Sequence, residues 1–222
     1  MDNHQIDDSI YFYCHIAKLD FIYLKEYNLL VDSLWNDKEN EIDNLIFEQI
    51  RIKGENNTHK IVEGYSQDIH DLQTRYPETQ RDSLVIMTFN KLESNLEGIS
   101  QIILSALKSN LKTKDIHGKG IARSKLIFDK IANFGFENYK NEWDYVVGFQ
   151  TIRNLLVHSD GFISPDNKKT VDFINKHSKL SISGGRVNIQ EGCINELIQS
   201  CINLIELLGK EVDYFIKRNN LS

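Results

Sequence analysis

Val85, Phe89, Leu92, Leu96, Ile99 and Ile103 follow one another at alternating steps of four and three residues. A helix turns about 100° per residue, so that spacing gathers all six on one face. Ile86, Met87, Ile102 and Leu104 widen the stripe. A helix with so broad an apolar surface must be covered on most sides, which predicts a helix at the centre of a bundle. The chain has only two prolines, Pro77 and Pro165. Proline lacks the amide donor and crowds the preceding turn, so so few of them suits a chain of long helices.

Further helices follow from the same periodicity. Ile10, Cys14, Leu19, Ile22 and Leu30 predict one from Asp7 or Asp8 to about Leu34. Trp35-Asn36-Asp37 weakens that pattern and Ile42 to Ile52 resumes it, before a loop at Gly54-Glu55-Asn56-Asn57. Ile61 to Tyr76 reads as another helix. A helix is expected from about Tyr139 to Ser159, with Gly161 at a left-handed C-cap and Pro165 beyond it. Leu180 to Ile189 is the strand-like stretch. A two-residue turn at Gly184-Gly185 would oppose Ile182 to Val187 and Leu180 to Ile189. The last helix, about Gln190 to Lys217, carries Ile194, Leu197, Cys201, Leu204, Ile205 and Leu208 as its buried stripe. The expected fold is all-α, a helical bundle with one small β-hairpin before the last helix. It divides into an acidic N-terminal helical segment, residues 1–75, packed on a bundle of residues 76–222.

Composition narrows the function. Residues 1–80 carry 16 acidic and 7 basic side chains, a balance of −9; residues 81–222 carry 16 and 19, a balance of +3. The net charge of −6 argues against a nonspecific nucleic-acid binder but leaves room for a local basic patch. No apolar run approaches the roughly 20 residues of a membrane span, and Met1-Asp2-Asn3-His4 opens no signal core. A soluble, cytoplasmic protein with no membrane partner is expected. Cys14, Cys193 and Cys201 form neither a disulfide framework nor a zinc pair. His59 and His70 are the nearest approach to a shared metal face, and no metal or other cofactor is expected.

Between Leu107 and Lys125, six basic residues face one acid, Asp115. The glycines of His117-Gly118-Lys119-Gly120 lack P-loop spacing. Such a run is either a solvated surface or a phosphate-contacting patch. In the second case Lys112, Lys114, Lys119, Arg123 and Lys125 are the RNA-binding candidates.

The chemistry-bearing segment is Arg153-Asn154-Leu155-Leu156-Val157-His158. Asn154 and His158 lie one helical turn apart, and Arg153 flanks them on the same side. Imidazole exchanges a proton near neutral pH, guanidinium offers a donor fork that matches phosphate, and the amide can orient either. The trio could therefore catalyse attack of a ribose 2′-hydroxyl on its phosphate without a metal. Chance would give an Arg-Asn followed by His at this spacing roughly 0.06 times in such a chain. The competing reading is a helix end where Arg153 pairs with a carboxylate and His158 meets the helix dipole. Tyr145, Phe149, Ile152 and Leu156 form the core face of this helix. Trp143, Val146, Val147 and Val157 fall on the polar side, where an exposed apolar patch predicts a two-fold dimer interface. Glu93, on the flank of the central helix, is a supporting candidate expected to pair with Arg153.

Arg153-Asn154-x-x-x-His158 near a helix end resembles the Arg-x4-6-His motif of HEPN domains. Tyr76-Pro77, Arg81-Asp82-Ser83-Leu84, Phe89 to Glu93, Gly120 to Arg123 and the hairpin are similar to bacterial HEPN-like proteins. The likeness spans about residues 76 to 217. It implies a HEPN-like helical bundle and a metal-independent endoribonuclease with a composite active site formed by a homodimer. Arg153, Asn154 and His158 would be its catalytic residues. Toxin–antitoxin, abortive-infection and other phage-defence systems are the implied setting, with RNA as substrate and an antitoxin or defence-system protein as partner. The alternative implied is a catalytically inactive HEPN-like module that binds RNA, nucleotide or protein. Asp160 stands where one toxin subgroup has a modified tyrosine, so that regulation does not carry over.

Overall fold

The computed structural model describes residues 3–164 and 166–220, and of residues 3–10 the backbone alone; Pro165 and the side chain of Ile10, both named above, thus lie outside the described residues. The fold is all-α with a small antiparallel hairpin before the final helix. The helices are α1 (Asn3–Lys53), α2 (Thr58–Gly64), α3 (Ser66–His70), α4 (Tyr76–Ala106), α5 (Gly120–Leu126), α6 (Lys140–Ser159), α7 (Lys168–Asn175) and α8 (Cys193–Arg218). The strands β1 (Leu180–Ser183) and β2 (Arg186–Ile189) stand between α7 and α8. No described helix is long and apolar enough to cross a membrane.

The central position of α4 is as its sequence stripe predicts. Val85, Phe89, Leu92, Leu96, Ile99 and Ile103 are all fully buried. They share one core with Ala17, Phe21 and Leu24 of α1, Phe149 and Ile152 of α6, and the apolar face of α8.

Three elements differ from the sequence expectation. First, α1 runs unbroken through Trp35-Asn36-Asp37. That stretch is polar but holds neither glycine nor proline, and Trp35 is anchored sideways: its ring stacks on Tyr76 at 5.5 Å and its Nε1–H donates to Gln80. The helix ends only at Gly54, whose φ of 84° the helix cannot contain. Second, Ile61 to Tyr76 is not one helix. α2 and α3 break at Tyr65, which places His59 and His70 on separate helices. Third, the chain enters α4 through a π-helical turn, Asp71–Arg75. Pro77 sits in the first turn of α4 and cannot donate to the turn before it. The amide of Tyr76 reaches back five residues to the carbonyl of Asp71, which closes that wider turn.

The hairpin has the register read from the sequence, with Leu180 opposite Ile189 and Ile182 opposite Val187. Gly184 and Gly185 both take positive φ, 57° and 78°, as a tight hairpin turn needs.

Candidate functional site

The last two turns of α6 carry the Arg-Asn-His trio, and the way α6 ends decides what they face. The helix stops at Asp160, which takes a left-handed conformation (φ 48°), and Gly161 follows at φ 78°. The left-handed C-cap expected at Gly161 thus begins one residue earlier. The amides of Asp160 and Gly161 both reach back to the carbonyl of Leu155. Beyond them the chain turns onto the hairpin edge, where Phe162 bridges Arg186 and the amide of Val187 donates to the carbonyl of Gly161. Arg186 clamps the corner: its Nε–H donates to the Asp160 carbonyl at 2.8 Å and its Nη2–H to Asp82 of α4.

Asn154, Val157 and His158 are exposed on this end, while Arg153 is half-buried. Arg153 Nη1 donates to Asn154 Oδ1 at 3.3 Å and Nη2 to Asn90 Oδ1 of α4 at 3.5 Å. Its Nε is buried and has no partner. Among the described residues no carboxylate forms an ion pair with Arg153. The expected Glu93–Arg153 pair is therefore not made. Asn90, three residues before Glu93 and so one turn away on the same face, holds the guanidinium instead. Glu93 turns toward the other neighbour of α4: a Cβ placed on Gly120 would lie 2.8 Å from its Oε1. One turn further, Glu97 accepts from the Thr113 hydroxyl at 2.8 Å. A single polar row on α4 thus touches the α6 site and then the lysine-rich segment.

That segment splits into two groups. Lys112, Lys114 and Lys119 are exposed. Arg123 is occupied with its own loop, its Nε and Nη2 donating to the Gly118 carbonyl at 3.0 and 2.8 Å. Lys125 forms an ion pair with Asp129, and its Nζ stands 3.5 Å from the centre of the Phe136 ring. Asp129, the acid that pairs with Lys125, lies just past the lysine-rich stretch, and both cations already make contacts within the chain.

The apolar residues assigned to a dimer interface also divide. Trp143 and Val146 are buried inside the chain, at 3% and 0% exposure. Trp143 packs against Tyr139 and lies under Lys125, and α7 closes α6 from a second side, with the Phe173 ring against Gly148. They cannot form a patch between copies. A helical wheel shows which residues share a side but not how many neighbours the helix has, and α6 has neighbours on nearly all sides except at its end. Val147 remains half-buried and Val157 exposed. The cover stops short of the trio, which stays open to solvent.

Two contributors escaped the sequence reading. Asn90 had no signal beyond lying one turn from Glu93. Phe162 is an aromatic 54% exposed just past the end of α6, and its signal was an apolar residue directly after a helix-closing glycine, with no periodic partner.

Burial pushes the thiol of Cys14 up to about 11 and that of Cys193 up to about 12, with Cys201 raised further. Among the described residues no group of three or more His, Cys, Asp or Glu is gathered as a metal site would need. Comparison of the chain with family models, with curated proteins and with solved structures finds no match.

Proposed function

We propose that this chain is an endoribonuclease of the HEPN kind, a toxin or phage-defence effector, with Arg153, Asn154 and His158 as its catalytic residues. The observation that carries the reading is the state of Arg153. It is half-buried, held by two amide oxygens, and among the described residues no carboxylate pairs with it. An arginine kept for stability at a helix end would be expected to have an acidic partner. This one carries a charge that no acid among the described residues pairs with, and Asn154, which it holds, lies one turn before the exposed His158 on the same helix.

In the proposed reaction His158 takes the proton of a ribose 2′-hydroxyl. The 2′-oxygen bonds to the adjacent phosphorus and the bond from phosphorus to the 5′-oxygen breaks. The leaving 5′-oxygen collects a proton from water or from the imidazolium of a second copy in a composite site. Arg153 stabilises the charge that builds on the phosphate oxygens. Phe162 offers a ring on which an unpaired base can stack.

The test is RNA cleavage by the purified protein in EDTA, with wild type beside His158→Ala and Arg153→Ala. Wild type should yield 2′,3′-cyclic phosphate ends. Each variant should lose about 10²-fold or more with unchanged circular dichroism. Cleavage by His158→Ala at the wild-type rate overturns the assignment. RNA binding without cleavage by wild type would instead make the chain a catalytically silent binding module.

A further inference from the structure

Helix α1 has two apolar faces, and only one is used. Ala17, Phe21 and Leu24 are buried in the bundle. Phe12, Ile16, Tyr23, Tyr27, Leu30 and Leu34 are not: Phe12 is 66% and Leu30 71% exposed. At 100° per residue these six fall within an arc of about 60°, and no charged residue shares that arc between Phe12 and Leu34. Scattered surface leucines need no explanation, but a continuous row of this size on one helix does. The steps from Tyr23 through Tyr27 and Leu30 to Leu34 are four, three and four, the seam spacing of a coiled coil.

We infer that α1 is a self-association surface on which a second copy of this chain docks, α1 against α1 and antiparallel. Three observations select that occupant. The row is self-complementary: a two-fold axis passing at Lys25 opposes Tyr23 to Tyr27 and Ile16 to Leu34 of the other copy, so one patch serves both sides, as an isologous contact requires. Of the layers so formed, two carry a charge: the one that sets Asp20 against Leu30, where Lys91 of α4 already holds the Asp20 carboxylate at 3.1 Å, and the terminal one that sets Lys38 against Phe12.

Charge sets the direction. The same arc continues past Leu34 into Glu41 and Glu48. A parallel pair in register would stack each glutamate on its copy. The antiparallel pair ends near Lys38, sets it beside Phe12, and keeps the acidic halves of the two helices apart.

Area is sufficient. Six large side chains about half exposed offer roughly 600–700 Å² per copy. A standard interface takes about 800 Å² per partner. Met87 of α4, 44% exposed, borders the same groove as Tyr27 and extends the surface. Met87 is also three residues from Asn90, so the docked copy lies on the side of α4 that leads to Arg153.

The test is independent of any nuclease activity. Light scattering of the full chain should give twice 25.8 kDa. Tyr23→Glu with Leu30→Glu should give a monomer with unchanged helicity, because both positions are exposed. Ile16→Cys and Leu34→Cys, each alone, should stay uncrosslinked under oxidation and should crosslink when mixed. A monomeric wild type, a dimer that survives the double glutamate variant, or crosslinking of either cysteine variant alone overturns the inference.

Discussion

Arg186 of β2 reaches across the end of α6 to Asp82 of α4, with Nη2 and Oδ2 2.5 Å apart. Asp82 is largely buried, and desolvation pushes its carboxyl above the ordinary aspartate range, while the hydrogen bond and charge of Arg186 pull it back. Removing the arginine should therefore strand a desolvated charge. Arg186→Ala is expected to cost about 1–2 kcal/mol at neutral pH, kept below the fully buried case by solvent at a partly exposed pair. The sign with pH follows from the proton. Asp82 without Arg186 has a folded pKa further above its unfolded value, so the folded state is favoured by protonation. The deficit of the variant should shrink as pH falls through that raised value. Urea unfolding of both proteins between pH 3 and 7 (roughly the carboxylate range and above) would show it; a deficit that stays constant counts against the pair.

Asn90 should matter to the site without touching the reacting atoms. It is the only group on α4 that holds Arg153 among the described residues. Asn90→Ala is expected to slow cleavage about tenfold through a misplaced guanidinium. Asn90→Gln should recover part of that loss, and the fold should be unchanged because Asn90 is exposed. Single-turnover rates would separate this from His158→Ala, whose loss should be far larger.

Two glycines inside helices make opposite predictions. A Cβ on Gly148 would fall on the Phe173 ring, so α6 and α7 depend on its absence. Gly148→Ala should lower stability by about 1–3 kcal/mol despite the better helix former. A Cβ on Gly209 of α8 meets nothing within 4 Å. Gly209→Ala should stabilise by about 0.5–1 kcal/mol. Thermal melts of the two variants should move in opposite directions, and a shared direction would contradict the packing described.

How much of this was readable depends on how local the cause is. The α4 stripe, the hairpin register and the end of α6 follow from spacing and glycine within a few residues, and they stand where the sequence puts them. What failed was partner counting. Trp143 and Val146 share a side of α6 with His158, but Trp143 is covered by Lys125 of α5 and by Tyr139 just before α6, and no local pattern brings α5 against α6. Trp143→Glu should accordingly unfold the chain rather than separate two copies. The outer row of α1 is hidden for the converse reason: the apolar residues of this one helix serve two faces, and spacing alone does not say that the second is left uncovered. Glu93 looked toward Arg153 on the helix wheel, and the deciding neighbour, Gly120, lies across a loop.

The lysine-rich segment yields the sharpest contrast between a free and a committed cation. Lys112, Lys114 and Lys119 are exposed, and neutralising all three with glutamine should leave the fold intact. If they contact phosphate, binding to single-stranded RNA should weaken and the slope of log affinity against log salt should fall by about 2, at roughly 0.7 per contact. Lys125 behaves otherwise. Its ammonium sits over Phe136 and pairs with Asp129, so Lys125→Gln removes an ion pair and a cation–π contact from the cover of Trp143. That variant should lose about 1–2 kcal/mol of stability and leave the salt slope nearly unchanged. A salt slope that moves with Lys125→Gln but not with the triple variant would reverse the assignment and place the phosphate path along α5 instead.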